Sequence, residues 1–197
     1  MKSLRAFALM LFVVAVLPTA AQAQSPSTGG AAFADTPADP AHIVVAGAVA
    51  QLLPDGSAAA PADAPVQVQN AIFAANRLKA KPYIYGGGHG RWEDKGYDCS
   101  GTVSYALHGA GLLATPLASG GFMRWGEKGP GQWISVFANG GHAYAVIAGL
   151  RLDTSSYGTT ARRSRKSVAK TAYERGPRWR PTQRPSTGFR VRHPLGF

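Results

Sequence analysis

The chain has one cysteine, Cys99, in 197 residues. No internal disulfide can staple it and no multi-thiol zinc site can organise it, so its fold must rest on buried apolar surface. His42, His89, His108 and His193 show no metal-ligand spacing either, and neither a metal nor a cofactor is expected. The apolar residues are unevenly distributed. From Gln24 to Ala64 the chain is dominated by Ala, Pro, Ser, Gly and Asp, with one apolar island from His42 to Val49 and no sustained period. Residues 24–64 therefore read as a disordered linker. Residues 65–197 carry all four tryptophans and are long enough for one domain with an adequate core.

Residues 1–23 have the form of a secretory signal peptide: Lys2 and Arg5, an apolar run from Ala6 to Leu17, then Ala21-Gln22-Ala23 as a processing site. That run is shorter than the ~20 residues a membrane-spanning helix needs. No later stretch is long and apolar enough to anchor the chain, and no cysteine near the cleavage site offers a lipid attachment point. The expectation is an exported protein, periplasmic or secreted, without a membrane anchor, and nothing in it demands more than a monomer.

The net charge of +11 is concentrated at one end. Residues 24–160 carry eight Lys or Arg against nine carboxylates, whereas residues 161–197 carry eleven against one. Such a segment suits an anionic wall polymer, lipid headgroups or nucleic acid, because Coulomb attraction does not distinguish the source of the charge. Export makes nucleic acid the poorest of these partners. The plain alternative is a solvated basic loop.

Two helices and a set of strands are predicted. Val68, Ala71, Ile72, Ala75 and Leu78 recur at the spacing of one buried helical face, and Pro82 stops that helix. Val103, Ala106, Leu107 and Ala110 repeat the pattern after Asp98, with Gly111-Leu112 as a left-handed cap. Between them the three consecutive glycines of PYIYGGGHG turn the chain. A phosphate-cradling loop would need a Gly-Lys-Ser/Thr ending, which is missing. Trp133 to Ala138 and His142 to Ala148 read as strands joined by Asn139-Gly140-Gly141, Leu150 to Thr154 follows a tight Ala-Gly turn, and Phe189 to Arg192 suits an edge strand.

Cys99 thus falls in the first turn of a helix. Unsatisfied N–H groups and the positive end of the dipole favour a thiolate there, and the thiolate is the nucleophilic form. A base is needed to hold the thiol proton, and His142 heads a strand on which His142, Tyr144 and Val146 share a face. If Ala148-Gly149 is a two-residue hairpin turn, Tyr144 lies opposite Asp153, and Asp153 sits diagonally from His142 on the same face. It would then orient the ring and stabilise the imidazolium. A turn one residue longer would move Asp153 to the other face. The competing readings are a buried structural cysteine and a hydrogen-bonded structural histidine.

Tyr83-Ile84-Tyr85-Gly86-Gly87, then Tyr97-Asp98-Cys99-Ser100-Gly101, then His142 at the head of a strand, resembles the NlpC/P60 family of cell-wall cysteine peptidases. The resemblance covers most of residues 65–154. It implies a papain-like α+β fold, in which a Cys-bearing helix packs on an antiparallel sheet bearing the His, and cleavage of peptidoglycan stem peptides without a metal. The bond implied lies between D-glutamate and the diamino acid. It also implies Cys99 as nucleophile, His142 as base, Tyr83 and Asp98 as residues that grip a free amine of the substrate, and Ser100 as a further substrate-binding residue. Three positions depart from the pattern. Asp153 stands where the family usually has His, Asn or Gln, Gly131-Gln132-Trp133 replaces a Pro-Gly-Asp, and Ser119 matches a substrate-side serine only loosely. Residues 159–197, with Gly176-Pro177-Arg178-Trp179, lie beyond the resemblance and suit a closing strand and basic loop. The alternatives carried forward are a non-catalytic, basic wall-binding protein and an amidase or transferase on the same fold.

Overall fold

Small side chains decide how this chain packs. The computed structural model describes residues 42–155, 176–181 and 183–197, and these form a mixed α+β architecture with few helices and mostly antiparallel strands. Helix α1 (Val66–Asn76) buries Val68, Ala71, Ile72 and Ala75, the expected face. It ends at Asn76 rather than near Pro82, and Leu78 is buried just beyond the last turn beside Tyr97 and Tyr105. Helix α2 (Cys99–Gly109) buries Val103, Ala106 and Leu107. Its end closes as expected: Gly111 has φ 72°, its N–H donates to His108 O (2.8 Å), and Leu112 N–H donates to Leu107 O (2.9 Å). The helices pack on one another, and a Cβ at Gly109 would collide with the Ala74 methyl, so the crossing depends on two small residues.

After the single turn of α3 (Ser119–Phe122), six strands follow: β4 (Glu127–Lys128), β5 (Ile134–Ala138), β6 (Ala143–Ile147), β7 (Leu150–Asp153), β8 (Arg178–Arg180) and β9 (Arg190–His193). They form one antiparallel sheet in the order β4-β9-β5-β6-β7-β8. Ile134, Val136, Ala138, Ala143, Ala145, Ile147, Leu152 and Trp179 join the buried residues of α1 and α2 in one core. The turn between β6 and β7 is the two-residue one: Ile147 pairs with Leu150, Val146 with Arg151 and Ala145 with Leu152. Both turn residues have positive φ, 45° at Ala148 and 84° at Gly149, the backbone such hairpins require.

Two expectations need correction. The segment Phe189 to Arg192 is not a sheet edge, because β9 lies between β5 and β4, with Lys128 opposite Arg192 and Glu127 opposite His193. A two-residue strand such as β4 is too short to show alternation in sequence. Nor is all of residues 24–64 a disordered linker. Residues 42–64 are folded, with β1 (Val44–Val45), β2 (Gln51–Leu52) and β3 (Ala58–Pro61) in a small sheet of order β1-β3-β2, while residues 24–41 lie outside the described residues. The run Ala58-Ala59-Ala60-Pro61 is wholly buried against α1. Its lack of large apolar side chains reflects close approach to the helix, and in sequence that composition resembles a linker.

Asn76 fastens this layer. Its side-chain oxygen accepts from Ala58 N–H (2.8 Å) and from Trp179 Nε1–H (2.8 Å), and its amide donates to Ala58 O (2.9 Å). One buried carboxamide thus joins β3, α1 and β8. Asn76→Leu should strand these buried partners and destabilise the fold by about 2–4 kcal/mol. Urea unfolding with an unchanged denaturant slope and a lowered midpoint would register that loss; an unchanged midpoint would show the clamp to be dispensable.

Candidate active site

The place of the thiol is built by Asp98. Its side chain caps α2 by accepting Gly101 N–H at Oδ1 (2.7 Å), and Oδ2 accepts Gly86 N–H from the three-glycine turn (3.1 Å). Ser100 Oγ donates to Oδ1 (3.1 Å), and His89 Nε2 lies 3.0 and 3.2 Å from the two oxygens. The turn also meets the helix through its backbone, with Asp98 N–H donating to Gly87 O (3.2 Å). A Cβ at Gly101 would run into the Gly87 carbonyl, and one at Gly87 into the Gly96 carbonyl. The glycines are therefore there for close approach of backbone to backbone.

Cys99 is the first residue of α2, a free thiol that keeps 9 % of its surface exposed. His142 directly precedes β6 and is positioned by an Asn139 turn, whose side-chain oxygen accepts from the N–H groups of Gly141 and His142 (both 2.9 Å). The His142 side chain, 20 % exposed, hydrogen-bonds to Asp153, with Nε2 2.9 Å from Oδ1, and is electrostatically coupled to Cys99. That leaves Nδ1 as the nitrogen available to the thiol proton. The three residues singled out from sequence, Cys99, His142 and Asp153, are brought together, and the short turn after β6 is what puts Asp153 on the correct face.

Burial disfavours the charged imidazole, but the hydrogen bond to Asp153 and the interaction with Cys99, with the coulombic pull of both, overrule it. His142 is raised from 6.5 to about 9. Asp153 is fully buried and its charge is compensated from several sides. Oδ1 also accepts Ser155 N–H (2.7 Å), Oδ2 pairs with Arg184 Nη1 (3.2 Å), and Arg151 Nε stands 3.7 Å away. Arg184 in turn lies over the rings of Tyr144 (5.4 Å) and Phe189 (5.0 Å), which also pack edge to face.

Of the remaining sequence candidates, Ser100 is buried and bonded to Asp98, and Tyr83 is half-buried in a parallel bridge with Tyr97. Two residues near the pair were missed by sequence reasoning, His89 and Arg184. His89 carries no spacing signal, and Arg184 lies some thirty residues from Asp153. His89, Asp98 and Ser100 supply the residue types of a hydrolytic triad, but hydroxyl and carboxylate meet the same ring nitrogen, which cannot relay a proton from one to the other. The basic C-terminal segment is partly structural. Arg180 is buried, Arg184 pairs with Asp153, and Arg192 Nε donates to Met123 O (2.9 Å). Its cations from Arg162 to Arg175 lie outside the described residues.

Among the described residues no helix is long and apolar enough to cross a membrane, and no group of three or more His, Cys, Asp or Glu is placed to hold a metal ion. Compared with protein-family models, with curated proteins and with solved structures, the chain matches none.

The elevated His142 has a sign that can be checked. A histidine raised from 6.5 to about 9 contributes stability that is complete below pH 6.5 and is lost as pH rises through 9. Asp153→Asn removes the charge that raises it, so the ring should titrate at least one unit lower. Histidine ring NMR titration of wild type and variant measures this directly, and identical midpoints would mean that Asp153 does not hold the imidazolium.

Proposed function

We propose that the chain is a cysteine hydrolase acting on peptide bonds, with a papain-like placement of nucleophile and base. More particularly, it is an exported peptidoglycan endopeptidase of the NlpC/P60 type, cutting stem peptides at the D-glutamyl–diamino acid bond. The observation that carries the reading is His142 hydrogen-bonded to a buried carboxylate and electrostatically coupled to the only thiol. Structural cysteines have no use for such a partner. The helix start, the three-glycine turn and the His-headed strand also agree with the motif resemblance, and export rests on the signal-like first 23 residues.

In this mechanism the Cys99 proton passes to His142 and the sulfur attacks the scissile carbonyl carbon. The backbone N–H groups at the start of α2 stabilise the oxyanion. Collapse of the tetrahedral adduct breaks the C–N bond, and His142 gives its proton to the departing amine. Water, deprotonated by His142, then hydrolyses the thioester, releasing the carboxylate and restoring the thiol. Asp153 keeps the ring oriented throughout. A basic contact with anionic wall polymer would fall to cations of residues 161–197 other than Arg180, Arg184 and Arg192.

Cys99→Ala should fold normally and release no fragments from purified peptidoglycan, whereas wild type should yield fragments whose masses identify the bond cut. Release at the wild-type rate by Cys99→Ala would refute the mechanism. Alkylation by iodoacetamide should abolish turnover, an outcome that a purely wall-binding protein would not give. Because His142 must be protonated to release the amine, turnover should decline as pH rises through about 9. A profile flat to pH 10.5 would exclude His142 as the acid.

A further inference from the structure

Three arginines, Arg151, Arg180 and Arg184, share one carboxylate, Asp153, at the β7–β8 side of the sheet. Leu152 and Trp179 point into the core, so their neighbours Arg151, Asp153 and Arg180 lie on the face turned away from the helices, and Arg151 stands directly opposite Arg180 in the strand pairing. Like charges at such a pair repel. Both are nevertheless buried, Arg151 completely and Arg180 with 9 % of its surface exposed. Asp153 compensates them only in part, since its oxygens already serve His142, Ser155 N–H and Arg184, with Arg151 Nε 3.7 Å away. Among the described residues Nε and Nη2 of Arg180 are buried without a hydrogen-bond partner. The Tyr144 hydroxyl, on the same face and also buried without a partner, adds an unused donor, and burial pushes its pKa up to about 12.

We propose that this cluster is a binding site for a small tetrahedral oxyanion, inorganic phosphate or sulfate, held between Arg180 and Arg151. A buried guanidinium with unsatisfied N–H groups is strongly disfavoured, and arginine cannot shed its proton to escape, as a lysine would. Water can satisfy the N–H groups but not the charge. An oxyanion does both, because its oxygens match the fork of the guanidinium and its charge removes the repulsion across the strand pair. With Arg151 fully buried and Arg180 nearly so, a phosphodiester chain has no room to lie along the pair, and the ligand is a free ion rather than part of a polymer. Such a site is independent of whether Cys99 is a nucleophile.

The test uses the full chain after removal of residues 1–23, dialysed free of phosphate and sulfate, with inorganic phosphate as the probe. Isothermal titration calorimetry should show saturable binding of one phosphate per chain. The thermal midpoint should rise by about 5–10 °C at a hundredfold excess over the dissociation constant, and sodium chloride at equal ionic strength should not reproduce the rise. Arg180→Met should abolish the saturable response yet melt at or above wild type in phosphate-free buffer, because it removes a buried charge that lacks a partner. Arg190→Ala, which removes an exposed cation, should bind as wild type does. No saturable binding by wild type, or binding that survives Arg180→Met, would overturn the proposal. Displacement of bound phosphate by a glycerol-phosphate oligomer would overturn the assignment to a free ion. Should Arg180→Met fail to fold, the wild-type titration still decides, together with Arg180→Lys, which keeps the charge without the fork and should bind about tenfold more weakly.

Discussion

The carboxylate of Asp98 is the point on which the site depends. It lies where a helix with unsatisfied N–H groups meets a glycine turn with unsatisfied N–H groups, and it satisfies one of each with its two oxygens. Without it the start of α2 and the turn would each keep a stranded donor, and the Asp98 N–H bond to Gly87 O would have to hold the turn against the helix. The close backbone approaches at Gly87 and Gly101 make sense only because Asp98 holds the two segments at that distance. The position of Cys99 is a consequence, since the residue after a helix cap has its backbone fixed by the cap.

A second carboxylate, Asp153, performs the complementary task under different electrostatics. Asp98 is held mostly by backbone donors and a hydroxyl, so it fixes geometry. Asp153 is held by groups that carry charge, His142, Arg184 and Arg151, so it fixes protonation. A buried carboxylate with a single imidazole partner would be poorly compensated, and the arginines bring further positive charge to it. Their presence also explains why part of the basic C-terminal segment is buried rather than spread over the surface.

How much of this was legible in the sequence follows from the range of each interaction. Local patterns were readable. The faces of α1 and α2, the start of α2 after Asp98, the left-handed closure at Gly111 and the Ala148-Gly149 turn are encoded within a few residues of one another. The turn then carried Asp153 to His142, because hairpin register propagates by counting. Interactions that cross the chain were not readable. Asn76 with Trp179, Arg184 with Asp153 and β4 with β9 join residues 31 to 103 positions apart and leave no periodic trace. The buried alanines of β3 were worse than silent, since their composition resembles a linker although their packing is that of a core.

That misread segment bears on the site through the turn between β6 and β7. Ala148 has a positive φ without being glycine, a conformation that disfavours an L-residue by about 1–2 kcal/mol. A one-residue slip there would relieve it and would also carry Asp153 to the opposite face of the sheet. The turn is held from three directions: Ala148 N–H donates to Trp133 O (2.8 Å), Ala148 O accepts from Ala50 N–H (2.8 Å), and Gly149 O accepts from Gln183 Nε2 (2.8 Å). Ala50 belongs to the folded part of the stretch that reads as linker, and Gln183 to the basic segment beyond β8. Both ends of the domain therefore brace the turn whose length decides whether the imidazole has a carboxylate beside it. Chain segments far from Cys99 in sequence help keep its partner in register, which is why the site cannot be reduced to the stretch of motif that first reveals it.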